Sequence, residues 1–144
     1  MQETNNLPQI YLCDIDGTLS CHKKNRSPYD ESKVYSDKTL PTVEIIRSLI
    51  KCGHNIVFFS GRTEKCREDS SRWIFDHIGC VPDLHMRHIG DTRNDAIIKK
   101  ELYELYIKDK YEVLGVYDDR LRVCHMWYDL GLFVFNCNQG LKEF

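Results

Sequence analysis

Two carboxylates two residues apart are the first feature of the sequence that could do chemistry. Asp14 and Asp16 follow the apolar run Ile10–Cys13 and directly precede Gly17. Two like charges this close raise the free energy of ionising each other unless a cation lies between them. The pair therefore indicates a metal site or, as the alternative, an Asp-Gly turn with both acids in solvent.

The order of residues in this D-x-D-G-T motif gives each acid a separate task. Asp14, at the end of a predicted strand, could attack phosphorus in line and form an aspartyl-phosphate. Asp16, on the same side one pleat further on, could protonate the leaving oxygen and then activate water. Gly17 lets the chain turn away sharply. The motif thus predicts phosphoryl hydrolysis, with Asp14 as nucleophile and Asp16 as general acid–base.

The elements that must position these acids alternate along the chain. Most of the β-type runs are continuous in apolar residues, which is typical of strands buried on both faces of a parallel sheet. Alternation with helical patterns predicts an α/β fold, a doubly wound, Rossmann-like parallel five-stranded sheet with helices on both faces. The predicted strands are Ile10–Cys13, Asn55–Phe59, Leu84–Met86, Glu112–Tyr117 and Leu132–Phe135, and the predicted helices are Thr39–Cys52, Glu64–Ile78, Asp91–Ile107 and Leu121–Leu130.

Charged and hydroxyl residues follow the predicted strands at the edge where ligands bind in open parallel sheets. Beyond the acid pair, these are the segment SGRT at 60–63, then Arg87, then Asp118 and Asp119. Asp14, the main-chain carbonyl of Asp16 and one of the two later acids, with waters, would give Mg²⁺ its preferred oxygen shell. A solvated loop or helix cap is the alternative for the later pair.

Ser60, Gly61 and Arg62 are predicted to meet the start of a helix. Backbone N–H groups and the positive helix end would hold the phosphoryl oxygens there, and Ser60 would add a hydroxyl bond. A helix N-cap with a glycine easing the turn is an equally good alternative.

Lys99 lies on a helix that is predicted to open at Asp91, with Asp95 one turn earlier on the same face. A lysine near the phosphoryl group would neutralise charge that develops in the transition state. The alternative is a surface ion pair, which is the reading adopted for the neighbouring Lys100.

Length and composition predict one domain spanning 1–144, with an irregular insert at 20–38. The net charge of -2 excludes a global basic field, so any nucleic-acid contact would be a local patch. The 7 cysteines are scattered without a C-x-x-C pair, which argues against a disulfide framework or zinc site and favours a reducing, cytoplasmic location. No signal peptide or apolar run of membrane-spanning length is found, so no membrane association is expected.

Over nearly its whole length the sequence resembles the haloacid-dehalogenase-type phosphatases. DIDGT at 14–18, SGRT at 60–63, Lys99 and the acid pair at 118–119 carry this resemblance. Within that superfamily it is similar to the 3′-phosphatase domain of phage polynucleotide kinase-phosphatase. The matching segments are RSPYD at 26–30, Trp73, MR at 86–87, GDTRNDAIIK at 90–99, YDDR at 117–120 and MW at 126–127.

The resemblance implies Mg²⁺-dependent removal of a 3′-phosphate, and often of a 2′,3′-cyclic phosphate, from DNA or RNA ends. The residues it implies for catalysis are Asp14, Asp16, Ser60, Asp95 and Lys99. Those implied for substrate binding are Arg26, Gly61, Arg62 and Arg87, and those for the metal are Asp14, Asp16, Asp118 and Asp119. Of the arginines, Arg26 and Arg87 are predicted to recognise the nucleic-acid end, and Arg62 to act on every substrate alike.

The sequence also departs from the two-domain members of that family. It contains no G-x-x-x-x-G-K-[ST] loop, so a kinase or ligase of the same repair system is expected to be a separate protein. The insert at 20–38 is a minimal cap, and an open cleft suits a polymeric substrate. His22, Lys23, Lys24 and Arg26 would give the insert a local positive charge for a nucleic-acid backbone, or would simply be solvated.

Three other functions fit parts of the same pattern. A mononucleotide or small-molecule phosphatase would keep the chemistry and change the substrate. A phospho-acceptor signalling domain would carry its acid pair after the first strand and would have no use for a general acid at Asp16. A non-catalytic module that binds nucleic-acid ends would tolerate loss of Asp14 or Asp16, and both are present.

Overall fold

A five-stranded parallel sheet forms the centre of the protein, in a computed structural model that describes residues 6–22 and 26–144. The sheet order is β5-β4-β1-β6-β7, and every neighbouring pair is parallel. Its strands are β1 (Gln9–Asp14), β4 (Asn55–Thr63), β5 (Asp83–Arg87), β6 (Glu112–Asp118) and β7 (Val134–Asn136); two short strands, β2 (Ser20–Cys21) and β3 (Lys38–Thr39), form a separate pair.

Helices cover both faces of this sheet, which confirms the predicted doubly wound fold. They are α1 (Thr42–Lys51), α2 (Arg67–Ile78), α3 (Asp95–Tyr106) and α4 (Leu121–Asp129). Apolar residues of α1 and α2 pack with Cys13 and Phe58 in one core cluster, whereas those of α3 and α4 pack with Leu12 and Phe59 in the other. Successive strand residues point to opposite faces, so the continuous apolar runs fill both cores at once.

The register of the central strands brings three carboxyl ends side by side. Asp14, the last residue of β1, pairs with Phe59 of β4. On the other side of β1, Cys13 pairs with Tyr117, so that β6 ends one residue later, at Asp118. Residues that follow β1, β4 and β6 therefore meet at one edge of the sheet, as the topology predicts.

The described residues of the insert, 20–22 and 26–38, are closed at their base by a short β-ladder. Ser20 pairs with Thr39, and Cys21 with Lys38, in an antiparallel ladder. Between them a 3-10 helix, Glu31–Ser36, packs against α2. The Trp73 indole of α2 donates a 2.8 Å hydrogen bond to the backbone carbonyl of Asp37, which ties the end of the insert to the domain.

Three predicted helix starts are too early in the chain. The first helix begins at Thr42, not Thr39, because Lys38–Thr39 pairs as β3. The second begins at Arg67 after a 3-10 turn, Glu64–Cys66, because β4 continues to Thr63. The third begins at Asp95, not Asp91, where the Asn94 side chain caps the backbone N–H of Ala96.

Across 6–22 and 26–144, we find no helix with both the length and the apolar character to cross a membrane. All 7 cysteines are free thiols.

Candidate active site

Asp14 occupies the centre of the strand edge and is 6% exposed. Its Oδ1 accepts a 2.7 Å bond from Lys99 Nζ, and its Oδ2 accepts a 3.0 Å bond from the Thr18 hydroxyl. Burial and the nearby Asp118 carboxylate raise the pKa of Asp14 well above its ordinary value, while the Lys99 charge opposes that rise. The carboxylate is thus held in one orientation by donors on both of its oxygens.

Two further carboxylates complete a buried acidic cluster. Carboxylate oxygens of Asp14, Asp118 and Asp119 lie within 4.8 Å of one another. Lys99, 2% exposed, bridges two of the acids through its 2.8 Å bond to Asp118 Oδ2. Burial opposes protonation of Lys99, but the carboxylates of Asp118 and Asp14 outweigh it and raise its pKa. The alternative for this lysine, a surface ion pair, is therefore wrong.

The cluster has the composition of a divalent-cation site. Three buried carboxylates face one ammonium group, so the cluster carries excess negative charge. A buried charge is costly unless a charge of opposite sign pairs with it. Hard carboxylate oxygens at this spacing are the ligands that Mg²⁺ takes in proteins. Gly17, at φ +79, allows the close approach, because a Cβ there would lie 2.0 Å from Asp119 Oδ2.

The side-chain oxygens of Asp118 accept more hydrogen bonds than those of Asp119. Asp118 Oδ2 accepts bonds from Lys99 and, at 3.2 Å, from the Trp127 indole, while its Oδ1 accepts the 2.9 Å bond from the backbone N–H of Asp119. Asp119 accepts one longer bond, 3.4 Å, from Thr18. Asp119 therefore has more capacity to bind a cation directly, and Asp118 holds Lys99 in place.

Asp16 faces two arginines and lies outside the acidic cluster. Arg62 binds it through two bonds, from Nε to Oδ2 at 2.9 Å and from Nη2 to Oδ1 at 2.7 Å. Arg26 adds a 3.1 Å bond from Nη2 to Oδ1. Burial favours the neutral carboxyl group, but the Arg62 and Arg26 charges prevail and lower the pKa of Asp16. Of the four predicted metal ligands, Asp16 is thus the one whose side chain is directed away from the cluster.

Asp37 is a buried partner of both arginines that the sequence did not reveal. Its Oδ1 accepts a 2.8 Å bond from Arg26 Nε, and its Oδ2 accepts bonds from Arg26 at 2.9 Å and Arg62 at 3.1 Å. Two arginines and two aspartates thereby form a neutral network that is buried except at the partly exposed carboxylate of Asp16. Asp37 belongs to no recognisable motif, and only the folding of the insert brings it here.

Arg87 and Asp95 link the ends of β5, β4 and α3. Arg87 donates from Nη2 to Asp95 Oδ1 and from Nε, at 2.8 Å, to the backbone carbonyl of Gly61. Arg120, whose role could not be predicted from the sequence, binds Asp95 Oδ2 at 2.7 Å. Gly61 is needed for this contact, since a Cβ there would lie 2.9 Å from Asp95 Oδ1.

The guanidinium groups of Arg26 and Arg87 are occupied by the protein itself. Every nitrogen of each donates to a protein acceptor, and the Arg26 side chain is only 1% exposed. Direct recognition of a substrate phosphate by these two arginines stays a prediction. The contacts present in this structure are those of residues that position other side chains.

Ser60 is fully buried at the end of the apolar part of β4, where its Oγ accepts a 3.0 Å bond from the backbone N–H of Arg62. The predicted helix start at this point is wrong, because β4 runs to Thr63 and α2 begins only at Arg67. Glu31 of the insert keeps the strand extended, with its carboxylate accepting bonds from the Thr63 amide and hydroxyl. The positive end of α2 is thus not available to phosphoryl oxygens at 60–62.

Apart from the buried Ser60, the structure gathers the predicted site residues into three connected groups around one edge of the sheet. Lys23 and Lys24, part of the predicted basic insert, lie outside the described residues. Thr18 and Trp127 are further functional candidates without an assigned role in the sequence analysis; both were visible as parts of motifs. The groups are Asp14, Asp118, Asp119 and Lys99; Asp16, Arg26, Arg62 and Asp37; and Arg87, Asp95, Arg120 and Gly61.

A family model and a curated protein both match this chain over most of its length. The phosphatase domain of polynucleotide kinase (PNKP) matches residues 8–141. Over 146 residues the chain is 37% identical to a protein of Autographa californica nuclear polyhedrosis virus named "Putative bifunctional polynucleotide kinase/RNA ligase", covering 97% of this chain and 21% of that protein. The chain thus spans about a fifth of the length of this curated relative.

Solved structures agree with the fold. A chain of the Pnkp1/Rnl/Hen1 RNA repair complex superposes with a TM-score of 0.88 at 34% identity, over 99% of this chain and 46% of that one. The class C acid phosphatase from Bacillus anthracis superposes with a TM-score of 0.64 at 11% identity, covering 97% of this chain and 70% of the other, which shows a shared fold alone. The match over residues 8–141 places this chain in the family of polynucleotide kinase phosphatase domains.

Proposed function

We propose that this protein removes the 3′-phosphate from polynucleotide ends in a Mg²⁺-dependent reaction. The observation that carries the proposal is the buried cluster of Asp14, Asp118, Asp119 and Lys99 at the carboxyl edge of the sheet, in a member of a polynucleotide phosphatase family. Such a cluster suits an anionic phosphate ester only when a cation offsets the carboxylate charge.

Asp14 is the proposed nucleophile. Lys99 and Thr18 hold its two oxygens, so the attacking orientation is set before the substrate binds. Attack forms a bond from Asp14 to phosphorus and breaks the bond to the 3′ oxygen of the nucleotide. A water molecule then attacks the aspartyl-phosphate, which releases inorganic phosphate and restores the Asp14 carboxylate.

Asp16 is the proposed general acid and base for these two steps. It gives a proton to the departing 3′ oxygen and later takes a proton from the attacking water. In this structure the arginines lower its pKa, which favours the ionised form that the second step needs. The first step needs a protonated Asp16, and a bound phosphate dianion would favour that form by adding negative charge beside it.

The arginines are proposed to keep these groups in position. Arg62 and Arg26, shared with Asp37, fix the carboxylate of Asp16 from two sides. Arg87 and Arg120 likewise fix Asp95 beside Gly61. Ser60, buried next to this strand end, would add its hydroxyl to the phosphoryl oxygens.

A Mg²⁺ ion would be held by Asp14 and Asp119, together with the main-chain carbonyl of Asp16 and waters. When bound, the ion would offset the negative charge of the phosphoryl group. The choice of Asp119 follows because the Asp118 carboxylate already accepts bonds from Lys99, the Trp127 indole and the backbone N–H of Asp119.

Substitution of Asp119 should weaken Mg²⁺ binding far more than substitution of Asp118. Asp119→Asn removes a direct ligand, whereas loss of an outer partner lowers metal affinity by about 10- to 100-fold. Isothermal titration of Mg²⁺ into each variant measures the difference without any substrate. Asp129→Asn, on the exposed end of α4, controls for the loss of one negative charge. Weaker binding in Asp118→Asn than in Asp119→Asn would reverse the assignment.

The proposed substrate is a nucleic-acid end, of DNA or RNA, and not a free nucleotide. The minimal insert leaves the carboxyl edge without a large cap domain, which suits a polymer that continues beyond the site. The relatives named for a kinase/ligase and for an RNA repair complex support a role beside such enzymes in end repair. A kinase or ligase that acts on nucleic-acid ends is therefore the proposed partner.

Phosphate release from a matched set of oligonucleotides tests the proposal. DNA and RNA strands with a 3′-phosphate, a 5′-phosphate or a 2′,3′-cyclic end should be compared with free 3′-nucleotides. We expect the 3′-phosphorylated strands to react fastest and every rate to fall to background in excess chelator. Faster release from the free nucleotides would instead identify a mononucleotide phosphatase, and full activity in chelator would exclude the metal.

A further inference from the structure

Tyr29 is exposed in a way that sets it apart from the other aromatic residues. Its side chain is 93% exposed, the largest value among the large apolar side chains of the described residues. Tyr35, the other tyrosine of the insert, is 46% exposed and donates its hydroxyl to Asp76 at 2.5 Å. The neighbours of Tyr29 along the chain are Pro28 and Asp30, and its ring is almost wholly open to solvent.

A tight turn holds this ring away from the protein. The backbone N–H of Asp30 donates a 3.0 Å bond to the carbonyl of Ser27, which places Pro28 and Tyr29 at the two central positions of the turn. Proline at the first of them fixes its own φ and favours this geometry. Arg26 Nη1 binds the carbonyls of Ser27 at 3.2 Å and Pro28 at 3.1 Å. The turn is therefore anchored by a buried cation.

The same guanidinium group connects the turn to the candidate active site. Arg26 Nη2 donates a 3.1 Å bond to Asp16 Oδ1. Two hydrogen bonds and the width of the guanidinium, about 8 Å in all, thus separate the Pro28 carbonyl from the Asp16 carboxylate. The turn that carries Tyr29 therefore lies within about the length of one nucleotide of the Asp16 carboxylate.

We propose that Tyr29 is a stacking platform for the base of the terminal nucleotide, the one that carries the phosphate. The inference rests on the proposed function and names how that site recognises its polymer end. A single exposed ring suits a flat partner, and stacking on an aromatic side chain accepts any base because every base has a π-face. Because the turn is already ordered, little further ordering of the protein is needed when a base stacks.

Binding to two oligonucleotides measures this role directly. One carries a normal terminal nucleotide with a 3′-phosphate, and the other carries a 3′-phosphate on an abasic terminal sugar. In an Asp14→Asn background that prevents turnover, we expect Tyr29→Ala to weaken binding of the normal strand by roughly 5- to 100-fold. Tyr29→Phe should bind the normal strand within about twofold of the parent, because the phenyl ring still stacks. The abasic strand should bind weakly to all three proteins, with no further loss in Tyr29→Ala.

Tyr128→Ala is the matched control, because Tyr128 is 72% exposed and lies on α4, about 10 Å along the helix from its start at the site edge. It should leave both affinities unchanged. An equal loss for the two strands in Tyr29→Ala, or no loss, overturns the stacking role. Absence of phosphate release from every 3′-phosphorylated strand by the unmodified protein would refute the proposed function instead, since the binding comparison does not depend on turnover.

Discussion

Asp14→Asn should abolish turnover while leaving the fold intact. The amide oxygen of asparagine is a poor nucleophile, and loss of an attacking group in other hydrolases lowers kcat by about four to six orders of magnitude. The variant should still fold, since Lys99 keeps its bond to Asp118 and the amide can accept from Thr18. Measuring kcat/KM for a 3′-phosphorylated oligonucleotide gives the rate loss.

Trapping of the intermediate makes this test specific for nucleophilic attack. Acid quenching of the unmodified protein during turnover of a ³²P-labelled substrate should leave label on the chain that hydroxylamine removes, as expected of an acyl phosphate. Asp14→Asn should carry no such label, and Asp129→Asn, an exposed acid at the end of α4, should label normally. Activity of Asp14→Asn within tenfold of the parent protein, or undiminished labelling, would rule out Asp14 as the nucleophile.

Lys99→Met should destabilise the protein strongly in the absence of divalent metal. Lys99 is the ammonium group that pairs with the buried carboxylates of Asp14 and Asp118, and removing one partner of a buried ion pair costs about 3–5 kcal/mol. For a chain of this size that corresponds to a fall in Tm of roughly 10 °C. Urea unfolding in chelator measures the change in the free energy of unfolding.

The loss of stability in Lys99→Met should depend on pH and on Mg²⁺ in predictable directions. The pKa of Asp14 is already raised by burial and Asp118, and loss of the Lys99 charge raises it further. When a carboxyl group has a higher pKa in the folded protein than in the unfolded chain, the protein loses stability as pH rises above the unfolded pKa, near 4. Lys99→Met should therefore be closest to the parent protein in acid and weakest at neutral pH.

Mg²⁺ should restore part of that stability, and more in the variant than in the parent protein, because the cation replaces the missing positive charge. Lys100→Met is the matched control, since Lys100 is the exposed neighbour on the same helix. It should change stability by no more than about 0.5 kcal/mol and should not alter the response to metal. A similar loss in both variants would mean that Lys99 is not the counter-ion of the cluster.

The amino-acid pattern alone was sufficient for the sheet, the helix faces and the central acids. Continuous apolar runs such as Ile10–Cys13 have one stable solution in a chain of alternating strands and helices, which is a parallel sheet covered on both faces. Once the strands are parallel, residues that follow them must meet at one edge. Asp14 and Asp118, 104 positions apart in the sequence, come together for that reason.

Only the tertiary structure determines which partner each charged side chain binds. Arg26, Arg62 and Asp37 come from an insert and a strand end whose meeting depends on the β2–β3 ladder and on Trp73. An arginine can bind any carboxylate within reach, so neither its sequence position nor its motif tells which one it meets. Arg26 is consequently directed at Asp16 and Asp37 and not at solvent.

At the end of β4, the backbone structure also could not be predicted from the sequence alone. The residues Ser60–Thr63 have a local pattern that fits a helix start as well as a strand, and local propensity could not separate the two. Glu31, 32 positions away from Thr63, binds the Thr63 amide and hydroxyl and keeps the strand extended. Local pattern determined which residues approach the site, and long-range contacts determined what each of them touches, because hydrogen-bond partners are chosen by proximity in space.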